Sequence, residues 1–123
     1  MPLRWTIDSH ARLVTLVADG EVSLHECAAC IAAVQEAGGT PYRKLFDGRT
    51  GSSSMSDEEL LMVGAEIRAS HSGKVGALAV VALPEQTTAF SRLLGALAAA
   101  NRKMKMFDDR REAELWLAEQ PEA

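Results

Sequence analysis

Apolar positions along this chain switch between two spacings, every second residue and every third or fourth, from one end to the other. "LRWTID" (residues 3–8) alternates, and after the turn "DSHA" comes a second strand-like run, "RLVTLVADGEV", which makes the two a β-hairpin. "SLHECAACIAAVQEAGG" then places Leu24, Cys27, Ile31 and Val34 on one stripe of a helix. Ser23 and Glu26 have the spacing of a capping box at its start, and the glycine pair is its stop. "YRKLFD", entered through Pro41, predicts a short third strand. A second helix begins near Ser56, where Ser56 and Glu59 repeat the capping-box spacing, with Leu60, Val63 and Ile67 as its buried stripe and "SHSG" as its end. "KVGALAVVAL" is almost continuously apolar, as a central strand covered on both faces should be. Pro84 blocks further pairing and opens a third helix on which Phe90, Leu94 and Leu97 line up. "KMKMF" predicts a fifth strand, and Asp109 with Glu112 a capped last helix whose Ala113, Trp116 and Leu117 face inward.

The order is therefore ββαβαβαβα. It predicts an α/β fold with a mixed five-stranded sheet, its N-terminal hairpin strand antiparallel and the remainder largely parallel, packed with four helices. No repeat, low-complexity tract or long linker divides the chain, so residues 1–123 read as a single domain. That length buries most of its apolar surface without staples. Hydrophobic residues at 47% and charged residues at 24% belong to a globular chain and not to a disordered one. The net charge of −4 leaves "NRKMKMF" as the best basic cluster, and its three cations are too few for a phosphate backbone, which excludes nucleic acid as a partner. No apolar run reaches the roughly 18 to 20 residues of a membrane span. "MPLRWTID" carries no signal-peptide core, so a cytoplasmic location is expected.

Three places could carry chemistry. Cys27 and Cys30 form a C-x-x-C, the spacing of thiol redox proteins. Reactive pairs of that kind sit at a helix's first turn, whereas here Cys27 is about one turn inside and Cys30 about two, on or beside the apolar stripe. A pair of small buried apolar residues is the simpler account. His25 points away from Cys27, and no second Cys or His cluster completes a metal site.

The second place is "LFDGRTGSSSMSDEEL" (residues 45–60). Glycines and serines between a strand and a helix start can hold an anion on converging N–H groups, with Arg49 as a clamp. The run lacks the G-x-x-x-x-G-K-[ST] spacing of a nucleotide loop. Asp57, Glu58 and Glu59 occupy the helix's first turn and would each repel a phosphate by roughly 1 kcal/mol. A connecting loop ending in a serine cap is the plainer reading. Third, no nucleophile elbow, H-E-x-x-H or dinucleotide fingerprint is present, and no cofactor is expected. Asp8, Asp19 and Asp47 lie near strand ends, where ligand sites of open α/β sheets gather, but Asp47 before Gly48 also reads as a turn-former.

With those residues in view, the whole chain resembles a SpoIIAA-like domain, the fold of anti-sigma-factor antagonists and of the STAS domains of anion transporters. "KMFDDRREAELWLAEQ" is similar to the strand, acidic turn and Ala-x-x-Trp-Leu helix that closes many small bacterial members, and "WTIDSHARLVTLVADGEVS" to their first hairpin. The resemblance implies a non-enzymatic regulatory or protein-interaction module. It also implies that Ser56 stands at the position of the antagonists' phosphorylated serine, with Met55 where their aspartate would be and Asp57 where their second serine would be. The expected binding residues are Asp47, Arg49, Ser52, Ser53, Ser54 and Ser56, facing an unknown protein partner. A small apolar or anionic ligand is the alternative, for which the five methionines permit an adaptable pocket, although Met62, Met104 and Met106 read more simply as core filler. Pairing into a homodimer is common for domains of this size.

Overall fold

A computed structural model describes residues 2–52, 56–69, 76–86 and 103–121. Five strands form one sheet in the order of the sequence: β1 (Leu3–Asp8), β2 (Leu13–Glu21), β3 (Arg43–Ser52), β4 (Leu78–Val81) and β5 (Met104–Phe107). β1 and β2 are antiparallel, and every later pairing is parallel. Among the described residues there are three α-helices: α1 (Leu24–Glu36), α2 (Asp57–Ala69) and α3 (Arg110–Ala118). The fourth helix expected after Pro84 enters the description only as a short 3-10 turn at Pro84–Gln86, and its remainder lies outside the described residues.

Local signals account for the helix ends. Ser23 accepts from the Glu26 backbone N–H, and the Glu26 carboxylate reaches back to the Ser23 N–H. At the other end Gly38 takes φ +74°, a conformation glycine adopts without cost. The Gly39 N–H then reaches the Val34 carbonyl and the Gly38 N–H the Gln35 carbonyl, which is the paired closure of a Schellman turn. Asp109 caps α3 through the Arg111 N–H.

The apolar side chains divide between two faces of the sheet. Leu3, Val14, Ala18 and Val22 pack with Cys30 and Val34 of α1. Leu45, Ala79 and Val81 pack with Ala113 and Leu117 of α3. Because successive strand residues point to opposite faces, Arg43, Leu45 and Asp47 share the α3 side while Lys44 and Phe46 take the other. All four residues of β4 are buried, as its unbroken apolar run predicts. Val63 of α2 is buried against Leu24, Cys27 and Ile31 of α1. Met62, expected in the core, is half exposed instead, and Met104 and Met106 are partly buried. One position back along the helix from Val63 is about 100° round from the buried stripe.

Two cations, the buried Lys44 and the half-buried Arg43, fasten the sheet to its connections. Arg43 donates to the carbonyls of Leu117 and Ala11, joining the end of α3 to the hairpin turn. Lys44 donates from Nζ to the carbonyls of Gly39 (3.2 Å), Thr40 (2.7 Å) and Tyr42 (2.8 Å), organising the chain that enters β3.

Candidate functional site

The sheet register places Asp47 level with Val81 on β4 and, through it, with Phe107 on β5. Those are the last residues of both strands, so Asp47 stands at the carboxyl-end rim of the parallel sheet. Its side chain is 9% exposed. A carboxylate taken that far from water must be paired and hydrogen-bonded, and this one is saturated. Arg49 approaches it as a fork, Nε to Oδ1 at 3.0 Å and Nη2 to Oδ2 at 2.9 Å, and adds its backbone N–H to Oδ1 at 3.2 Å. Arg110, the first residue of α3, donates from Nη1 to the same Oδ2 at 3.3 Å and forms an ion pair through Nε with Glu114.

The Arg49 hydrogen bonds hold the Asp47 carboxyl below the ordinary carboxylate range against the upward push of burial, helped by the charges of Arg49 and Arg110. The same contact, together with the charge of Asp109 nearby, raises the Arg49 guanidinium. Asp47 is therefore not the strand-ending turn residue that Gly48 suggested. β3 runs five residues beyond it, to Ser52, because Asp19, Gly20 and Glu21 of β2 pair with Thr50, Gly51 and Ser52 after a bulge. Thr50 bonds the Ala18 carbonyl at that bulge. A Cβ on Gly51 would collide with the Ala18 side chain, which explains the glycine.

β4 ends at Val81, so among the described residues no strand lies beside the other edge of this extension. The Gln86 amide covers that edge: Nε2 donates to the carbonyls of Gly48 (2.9 Å), Gly51 (3.2 Å) and Arg49 (3.4 Å), and Oε1 accepts from the Leu83 N–H at 2.7 Å. Gly48 and Gly51 both belong to β3, and the Gln86 amide takes up their carbonyls.

Ser52 closes β3 and is exposed, its carbonyl accepting from the Val22 N–H. Ser53 and Ser54 lie outside the described residues. Ser56 forms the expected capping box: its Oγ accepts from the Glu59 N–H at 3.2 Å and donates to Glu59 Oε1, which also takes the Ser56 N–H. The hydroxyl is exposed at the start of α2. Asp47 and Arg49 are thus brought together, while Ser56 keeps to Glu59. Sequence reasoning missed Arg110 and Gln86. Arg110 stands 63 residues from Asp47, a separation that no local pattern bridges.

Burial pushes the Cys27 thiol up to about 11, with the Glu26 charge adding to it, and the Cys30 thiol up to about 12, with Cys27 adding to that. Neither is a thiolate at neutral pH, the form a redox nucleophile needs. Among the described residues no three His, Cys, Asp or Glu side chains are grouped to hold a metal ion, and no helix is long and apolar enough to cross a membrane.

Comparison with known proteins finds a family model, SpoIIAA-like, that matches residues 13–118. Among solved structures, the chain is similar to an uncharacterized protein of the DUF3478 family with a SpoIIAA-like fold from Shewanella loihica PV-4. The TM-score is 0.64 and the identity 14%, over 94% of this chain and 91% of that one. No curated protein matches.

Proposed function

This chain belongs to the SpoIIAA-like family, and on that footing we propose that it is a non-enzymatic regulatory module which binds a protein partner through the surface from Gly48 to Glu59 and is switched at Ser56. One observation carries the reading: the Ser56 hydroxyl is exposed at the first turn of α2, held in a defined geometry by its exchange of hydrogen bonds with Glu59. A kinase would transfer the terminal phosphoryl group of a nucleoside triphosphate to Ser56 Oγ, releasing the diphosphate and the hydroxyl proton. The hydrogen that Oγ donates to Glu59 is lost in that step. Close to two negative charges then face the Glu59 carboxylate, opening the reciprocal half of the capping box and repelling an acidic partner surface.

Ser56→Asp and Ser56→Asn separate charge from folding, because both residues cap a helix about as well as serine. The test is native mass spectrometry of protein purified gently from its own cells, with peptide mapping across residues 48–59. The expected result is a complex with a second chain in the wild type and Ser56→Asn, depleted in Ser56→Asp. A bare, unmodified chain would sink the partner, and equal complexes from the two variants would sink the switch.

A further inference from the structure

We propose that Arg49 and Arg110 together form a binding site for a phosphate group, free or carried as the monoester of a small molecule. Asp47 has more cationic donors than its single charge requires. Four donors reach its two oxygens, and Arg49 alone supplies three of them, including the two-pronged contact that neutralises the carboxylate. Arg110 adds a second full positive charge to an acceptor that is already served, through the longest contact of the set. Asp47, Arg49 and Arg110 sum to one positive charge at the carboxyl ends of β4 and β5, which the surface carboxylate of Glu114 balances from outside.

Both guanidiniums lie on the same oxygen, Oδ2, so they are close neighbours of like charge. Each side chain is 38% exposed. The nitrogens that Asp47 and Glu114 do not use, Nη1 of Arg49 and Nη2 of Arg110, have no acceptor among the described residues. Planar forks with spare N–H groups side by side match the oxygens of a phosphate, and an anion bridging them removes their mutual repulsion. The buried carboxylate fixes the forks in place before any ligand arrives, so little side-chain freedom is lost on binding. Strand carboxyl ends are also where ligands of open α/β sheets gather.

Two carboxylates stand close by. Asp109 is occupied with the Arg111 N–H at the start of α3, and Glu114, 58% exposed, holds Arg110 from the outside. An incoming phosphate competes with Glu114 for Arg110, and this makes the site testable without dismantling it. The inference goes beyond the partner reading and does not depend on it, since the titration succeeds or fails whether or not a second chain co-purifies.

The experiment follows the Nε–H resonances of Arg49 and Arg110 by NMR while the full chain is titrated with inorganic phosphate or with phenyl phosphate, against sodium chloride at equal ionic strength. Saturable shifts at both arginines are expected. Affinity should fall by about ten-fold or more in Arg110→Gln, which loses a charge-assisted donor pair. It should rise about two- to five-fold in Glu114→Gln, which removes a competing surface charge but leaves Asp47, Arg49 and Arg110 intact. Tighter binding of phenyl phosphate would identify a phosphorylated small molecule as the ligand, and equal binding would identify free phosphate. Shifts that grow linearly and are matched by chloride would overturn the site, as would saturable binding that neither variant changes.

Discussion

Asp47 and Arg49, two residues apart on one strand, close a two-pronged ion pair at 3.0 and 2.9 Å on the rim of the sheet. The pair spans the irregular stretch of β3 between Asp47 and Thr50, where a bulge re-aims side chains, and holds the carboxylate from within one strand. Arg110 then joins the pair to α3.

Removing the carboxylate should cost more than removing either arginine. Asp47→Ala leaves two guanidiniums without their counter-charge, and because both are partly exposed the loss is put at about 2 to 3 kcal/mol, below the value for a fully buried pair. Arg110→Gln should cost about 1 kcal/mol or less. Urea unfolding of the two variants checks the order, and a costlier arginine would contradict it.

Acid should weaken the same contact. The folded Asp47 titrates below its unfolded value of about 3.9. Its contribution is thus present above the unfolded pKa and lost as pH falls through the folded one. The stability gap between wild type and Asp47→Asn should hold steady from neutral pH down to about 5 and narrow below about 4. A gap that is constant through that acid range would contradict the pairing.

Alkali should act through the cysteines. Their folded values of about 11 and 12 lie above the unfolded value near 9.0, so the thiols favour the folded state below 9. That contribution erodes above 9.0 and is lost as pH rises through the folded values. In the native protein at pH 8, iodoacetamide should leave both cysteines unmodified for far longer than in urea. Rapid native alkylation of Cys27 would reopen a redox role.

Gln86→Leu should loosen the β3 extension without unfolding the molecule. The carbonyls of Gly48 and Gly51 lose an amide donor, at about 1 to 2 kcal/mol. Hydrogen exchange should quicken at residues 48–52 and stay unchanged in β1. Uniform acceleration would mean that Gln86 supports the whole fold instead of one edge.

Ser56→Ala removes the α2 cap and should cost about 1 kcal/mol, read from thermal unfolding, with Ser56→Asp close to wild type. A destabilised Ser56→Asp would show that the serine hydroxyl does more than cap.

Features written within a few residues of one another were legible in the sequence. The boxes at Ser23–Glu26 and Ser56–Glu59, the closure at Gly38 and Gly39, the Cys30–Val34 stripe and the continuous burial of β4 all depend on neighbours along the chain. The true end of β3 was not legible. "DGRTGS" has the composition of a turn, and only its pairing with Asp19–Glu21, around a bulge at which Gly51 fits against Ala18, makes it a strand. The candidate site was half legible for the same reason. Asp47 and Arg49 stand out locally, whereas Arg110 arrives because α3 packs on Leu45, two residues before Asp47.

The ammonium of Lys44, ringed by the carbonyls of Gly39, Thr40 and Tyr42, does what a bound potassium or sodium ion does in other folds. Here the cation is covalently leashed to the strand that it serves, so it cannot exchange with the medium. The bend entering β3 therefore keeps its shape whichever salts surround the protein, and the rim farther along that strand inherits a foundation indifferent to ion composition.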